Sequence, residues 1–141
     1  MGHGGNLSCG KCGYSVELMF GVGMRSCGVF NLPLNEDKKD GLPAYIRSRA
    51  EYKIVKALLT EKHGVVENYG LGAYRCPRCR TFHNGFHYLI KHKGGKHEPV
   101  YTCKKCSSSL DYIGDDPDFS AYPCPKCGKP LLMMTTSIMW D

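Results

Sequence analysis

The sequence predicts a small, metal-stabilised α+β protein. Expected are two four-cysteine sites built from paired knuckles, a three-stranded antiparallel meander and one main helix at about 43–63. Three observations carry this. Eight of the nine cysteines fall into four CxxC pairs: Cys9/Cys12, Cys76/Cys79, Cys103/Cys106 and Cys124/Cys127. Asn84-Gly85 and Gly94-Gly95, both hairpin signals, punctuate the stretch between the second and third pairs. Residues 43–63 repeat their apolar side chains at helical spacing.

Length and composition narrow the class. A chain of 141 residues suits one domain or two very small ones. Its 42% hydrophobic content includes the nine cysteines, so the oily core is modest and outside help with folding is expected. No run approaches the roughly 18 apolar residues of a membrane span. Cys9, Cys12, Glu17 and Arg25 interrupt any secretory h-region, so a cytoplasmic protein without membrane contact is expected. Charged residues at 23%, with frequent aromatics, argue against disorder.

The cysteine spacing points to metal. A secreted disulfide framework would not space every pair by two residues. A single CxxC suits thioredoxin-like redox chemistry; four of them suit metal knuckles. Two intervening residues fold the backbone so that both sulfurs converge on one ion at about 2.3 Å. Eight thiolates thus make two tetrahedral sites, with zinc preferred to iron. Neither set leaves an open coordination position, so structural sites and no enzyme are expected.

The flanks add a resemblance. Glycine follows two knuckles, in Cys12-Gly13 and Cys127-Gly128, while Cys76-Pro77-Arg78-Cys79 and Cys124-Pro125-Lys126-Cys127 have the CPxC form. At these residues the chain resembles the zinc-ribbon superfamily. Cys12-Gly13-Tyr14 through Gly21-Val22-Gly23 looks like a segment of small uncharacterised bacterial zinc-ribbon proteins with several CxxC knuckles. The resemblance implies metal-supported β-structure with all eight cysteines as ligands, and no particular activity. Arg80 and Ser107 stand where glycine is expected, and the stretch from Cys27 to Tyr74 falls outside the match.

Element by element, Tyr14, Val16, Leu18 and Phe20 alternate with Ser15, Glu17 and Met19, a strand pattern. Residues 31–42 read as a polar loop containing Pro33, Asn35 and Asp40. Pro43 then opens the helix, and Gly64 stops it after Lys62 and His63. Tyr45, Tyr52, Val55 and Leu59 form one apolar stripe; Ile46, Ala50, Ile54 and Leu58 form its neighbour. The meander is expected at about 80–83, 86–93 and 96–102. Its register puts Phe82 on one face with Arg80, His87, Lys91, Lys93 and Lys96, and His83 on the other with Phe86 and Tyr88.

That register also bears on ligand pairing. It separates Cys79 from Cys103 by four residues, about 13 Å, too far to share an ion. The simplest remaining scheme puts Cys9, Cys12, Cys76 and Cys79 on one metal and Cys103, Cys106, Cys124 and Cys127 on the other. A crossed scheme, first with third and second with fourth, stays open. The expected units are 1–102, with helix and meander, and a C-terminal ribbon at 103–141, packed together.

Charge suggests a partner. Two four-thiolate zinc sites at −2 each reduce the formal +6 to about +2. Yet residues 75–105 hold eight Lys/Arg against Glu98 alone, while the remainder is slightly negative. A basic β-surface with interleaved aromatics suits nucleic acid, with Arg80, Phe82, Lys91, Lys93 and Lys96 as candidate contacts. The bland alternative is that Arg78, Lys104 and Lys105 offset thiolate charge while the strand lysines guard edges. The helix stripe is the rival surface, for a protein partner. His83 and His87 lie too near Cys79 for a finger, and His92 with His97 lack a third ligand. Asp111, Asp115, Asp116 and Asp118 read as a solvated turn, and Cys27 as a small buried hydrophobe. The leading function is a zinc-supported binding module for nucleic acid or a protein. The alternative is a rubredoxin-like iron electron carrier, since Cys9–Tyr14 and Cys124–Gly128 each resemble half of such a site. That alternative pairs the second knuckle with the third.

Overall fold

A computed structural model describes residues 2–140. One seven-stranded antiparallel sheet dominates it. Its strands are β1 (Gly2–Cys9), β2 (Ser15–Gly21), β3 (Val65–Arg75), β4 (Phe82–His92), β5 (Gly95–His97), β6 (Asp111–Gly114) and β7 (Leu132–Trp140). The order is β5-β4-β3-β2-β1-β7, and β6 pairs with β3. Because β4 occupies one edge of β3 from Val65 to Arg75, β2 and β6 share the other, at Leu71 and at Ala73–Arg75.

The sheet contains the same motif twice, one copy nested in the other. In the outer copy β1 runs through the first knuckle into β2, and the fourth knuckle leads into β7, which pairs antiparallel with β1. In the inner copy β3 runs through the second knuckle into β4, and the third leads into β6, which pairs antiparallel with β3. Antiparallel pairing along β1-β2-β3 makes β1 and β3 run the same way. Both knuckle turns therefore lie at one end of the sheet.

Strand β2 follows its sequence pattern, burying Leu18 and Phe20 while Ser15 and Glu17 face water. The expected meander does not form. β4 passes straight through Asn84-Gly85, pairing Asn84 with Ala73 and Gly85 with Gly72. Two close contacts explain why this turn signal is overridden. The Asn84 amide crosses small, buried Ala73 to reach β2: its Nδ2 donates to the carbonyls of Met19 and Gly72, and its Oδ1 accepts from the Met19 N–H. Gly85 leaves room for two rings, since a Cβ there would lie 2.9 Å from Tyr74 and 3.1 Å from Tyr101. The second hairpin does form, but its turn is Lys93-Gly94 rather than Gly94-Gly95, with His92 opposite Gly95 and Lys91 opposite Lys96.

An uninterrupted β4 reassigns the faces. Alternation now places Phe82, Asn84, Phe86, Tyr88 and Ile90 together, and His83 and His87 together on the reverse. Tyr74, Tyr101 and Tyr112 cover the reverse face; His87 stacks on Tyr112 at 3.6 Å between centroids.

The helix at 43–63 is split. α1 (Leu42–Tyr45) ends at Ile46, which is buried in the core, and α2 spans Arg49–Thr60. Ser48 is extended and caps α2, its Oγ accepting from the Glu51 N–H at 3.3 Å. Of the two stripes, Val55, Leu58 and Leu59 reach the core beside Phe86, Tyr88 and Ile90, while Ile54 stays exposed. A second core, with Leu7, Leu18, Phe20, Phe82, Phe119 and Leu132, lies toward the knuckles. Cys27 is exposed rather than buried. The turn there is held by Ser26, whose N–H and Oγ both donate to the Gly23 carbonyl, so Ser26 points inward instead.

Replacing Asn84 by Ala removes three hydrogen bonds spanning β2, β3 and β4. The expected loss is about 1–2 kcal/mol, because the amide is partly solvated and water compensates in part. An unchanged urea midpoint for Asn84→Ala would contradict this bridging role.

Candidate metal centres

All four knuckles adopt one backbone conformation. The first cysteine's N–H donates to a carbonyl five residues on: Cys9 to Tyr14, Cys76 to Thr81, Cys103 to Ser108 and Cys124 to Lys129. The residue after each second cysteine is left-handed, at φ 75 for Gly13, 63 for Arg80, 60 for Ser107 and 74 for Gly128. Arg80 and Ser107 thus take up the glycine conformation despite their Cβ atoms. The turn presents N–H groups to sulfur, as from Lys11 to Cys9 at 3.5 Å, Cys79 to Cys76 at 3.2 Å and Lys126 to Cys124 at 3.4 Å.

The knuckles converge in pairs. Cys9, Cys12, Cys124 and Cys127 form one group, and Cys76, Cys79, Cys103 and Cys106 form the other. Within each group all four sulfurs lie within 4.8 Å of one another. Contacts between knuckles are 3.7 Å for Cys9–Cys127, 3.4 Å for Cys12–Cys124 and 3.4 Å for Cys76–Cys106. Sulfurs about 2.3 Å from a central ion form a tetrahedron with edges of about 3.8 Å, so these separations suit one metal per group. They are too long for disulfides, which need about 2.05 Å. Each group could hold a metal ion.

This corrects the expected pairing. The first knuckle joins the fourth and the second joins the third, the one combination the meander register excluded. The error follows from Asn84-Gly85. Without a turn there, Thr102 and Ser109 bridge across the third knuckle, and β6 pairs with β3 to set that knuckle beside the second. One sequence signal did separate the groups: glycine follows the second cysteine in the first and fourth knuckles but not in the other two.

Local fields prepare the sulfurs unequally. N–H groups of Cys12 and Lys11 pull the Cys9 thiol down to about 6. The Ser108 hydroxyl and N–H bring Cys106 to about 6, and N–H groups of Cys106 and Lys105 lower Cys103. Cys12 moves to about 11: the Tyr14 N–H lowers it, but burial and the sulfurs of Cys124, Cys9 and Cys127 outweigh that. Cys79 rises to about 12, through the Cys106 sulfur first and burial next. A divalent cation overrides these differences, because it favours the thiolate at every ligand.

The other expected contacts disperse. Phe82 is 3% exposed, packed edge-on against Phe119 and Tyr122, and cannot stack on a base. It lies on the opposite face from Lys91, which pairs with Glu67 at 2.6 Å. Arg80, Lys93 and Lys96 are exposed, Arg80 within the second knuckle and the lysines around the β4–β5 turn. Val55 and Leu59 of the rival helix stripe are buried. The histidines join neither cysteine group. His83 bonds Thr81 and His87 bonds Tyr74, each at 2.9 Å, and burial lowers both pKa values. His92 faces Gly95, whereas His97 reaches Glu51. Within the acidic stretch, Asp118 caps a 3-10 turn at Phe119–Ala121 and accepts from the Ser120 N–H. What sequence reasoning missed is the basic face of α2, where Arg49, Lys53 and Lys56 recur at i, i+4 and i+7.

Among the described residues, no helix is long and apolar enough to cross a membrane. No protein-family model, curated protein or solved structure matches the chain.

Left-handed Arg80 and Ser107 carry a strain that glycine would relieve. Arg80→Gly and Ser107→Gly should each stabilise the metal-bound protein by about 0.5–1 kcal/mol, the αL relief less glycine's added chain entropy. Gly128→Ala should destabilise it by a similar amount. Thermal unfolding with the metal content held fixed checks all three, and a destabilised Arg80→Gly would contradict the strain.

Proposed function

We propose that this chain is a zinc-binding protein whose two four-cysteine sites are structural cross-links supporting a binding module. The observation that carries the reading is closure: each group spends all four sulfurs and joins segments remote in sequence. Closed four-thiolate sites offer no position for substrate or hydroxide, which favours binding over catalysis. The bound ion supplies folding free energy, about 10 kcal/mol per site by analogy with zinc-finger peptides. Cys9, Cys12, Cys124 and Cys127 would hold one ion, and Cys76, Cys79, Cys103 and Cys106 the other. The nested motif, a knuckle hairpin plus a strand from the second knuckle, supports the zinc-ribbon resemblance. Nucleic acid or a protein is the partner class.

One observation favours a second reading. The first and fourth knuckles, the two halves that resemble a rubredoxin site, fall in one group. Iron in that site would make the chain an electron carrier.

Elemental analysis of the folded, reduced protein distinguishes these. The expected result is two zinc ions per chain, with strong chelation abolishing the native amide spectrum. Stoichiometric iron with visible absorbance would establish the carrier instead, and one metal or none would overturn both. The pairing also predicts where damage appears. Cys106→Ser should speed hydrogen exchange in β3, β4 and β6, and Cys12→Ser in β1, β2 and β7. A reversed pattern would contradict the assignment of ligands.

A further inference from the structure

Helix α2 carries cations where helix electrostatics disfavours them. Arg47 and Arg49 flank its cap, Ser48, at the positive end of the macrodipole. Arg49 and Lys53 are like charges at i, i+4, which repel. With Lys38 and Lys56 these residues line a hollow of about 720 Å³. Among its described lining residues the one carboxylate is Glu36, already held by Lys56 and the Tyr52 hydroxyl. A bound polyanion would turn both unfavourable arrangements into attraction.

A second cleft, about 730 Å³, shares Ile46 and Arg47 with this hollow. Half-buried Tyr45 and Tyr101 are the rings open to it, with Phe86 and Tyr88 buried beneath them. Glu51 lines it as well, its Oε1 fixed by the Tyr88 hydroxyl and by His97. Such a carboxylate can accept from the exocyclic amine of a base. Lys104 also lines this cleft, whereas exposed Ala50 leaves room on the helix side.

We propose that the two joined hollows form one site for single-stranded nucleic acid. A base enters the aromatic cleft, and adjoining phosphates lie along Arg47, Arg49 and Lys53. The proposal rests on the binding-module reading above and names its partner and surface. Aromatic walls beside a cationic track are what single strands require, since every base has a stacking face. A duplex keeps its bases stacked inside and would use only the cations. An acidic peptide would likewise leave the aromatic walls unused.

The test is fluorescence anisotropy of the metal-loaded full chain with a labelled single-stranded oligonucleotide of mixed sequence at low salt. Saturable one-to-one binding is expected, with the matching duplex and polyglutamate each weaker by about tenfold or more, as stacking is lost. The double change Arg49→Gln with Lys53→Gln should weaken binding and flatten the log–log salt slope by about 1.4, for two released phosphate contacts. Ala50→Trp should fill the cleft and weaken binding while leaving that slope unchanged. Lys93→Gln with Lys96→Gln, on the β4–β5 turn, should change neither. Absence of binding at tens of micromolar would overturn the proposal, as would equal affinity for duplex or polyglutamate. So would insensitivity to the α2 changes. Metal content and chelator-induced unfolding, measured on the same samples, report separately on the binding-module reading. Two structural ions without oligonucleotide binding would sink this site alone.

Discussion

Four sulfurs gathered within 4.8 Å present the same physical problem in each of this chain's two motifs. As thiolates they repel one another, and as thiols they bury weak, poorly satisfied donors. Backbone N–H groups draw Cys9 down, whereas burial and the neighbouring sulfurs push Cys12 up. A central divalent cation would resolve the conflict, replacing repulsion with four coordinate bonds. The architecture is arranged around this convergence. Each group fastens the turn of a long hairpin to a remote knuckle, and the strand leaving that knuckle returns to the hairpin's first strand.

Nesting ties the two groups together mechanically. The inner motif, with both helices, occupies the interval between β2 and β7, so the outer group closes only after the inner segment has been traversed. The joint between motifs is narrow: β2 and β3 share one registered pair, Gly21 with Leu71, plus the Asn84 amide reaching Met19. The core containing Phe82, Phe119 and Leu18 fills the space beside that joint. The cysteine groups and the aromatic packing thus divide the work, the first gathering strand ends and the second holding strand faces.

Much of this was legible in the residues. Eight cysteines in four knuckles have few other uses, and the alternation of Val16, Leu18 and Phe20 needed no tertiary context. The helix around Val55 and Leu58 followed from its spacing, although Ser48 broke it by capping. What misled was Asn84-Gly85. As a local signal it denotes a turn, yet both residues serve distant partners here, an amide bridge to Met19 and clearance for Tyr74 and Tyr101. Neither role is visible within a short window of sequence. The mistake then spread, because register decides both which face Phe82 occupies and which knuckles lie level. Two errors therefore had one cause, the placement of the Phe82 ring and the choice of which knuckles share an ion. Cys27 failed for a similar reason: the Ser26 hydroxyl joins the backbone N–H groups of Ser26 and Cys27 on the Gly23 carbonyl and turns inward, and the cysteine side chain is left outside.

Metal-directed NMR reads which cysteines share an ion. With cadmium-113 in both sites, each cysteine's β-protons couple to the ion that its sulfur binds. Two cadmium resonances are expected, one correlated with Cys9, Cys12, Cys124 and Cys127 and the other with Cys76, Cys79, Cys103 and Cys106. Correlation of Cys9 and Cys76 with the same cadmium resonance would contradict this pairing.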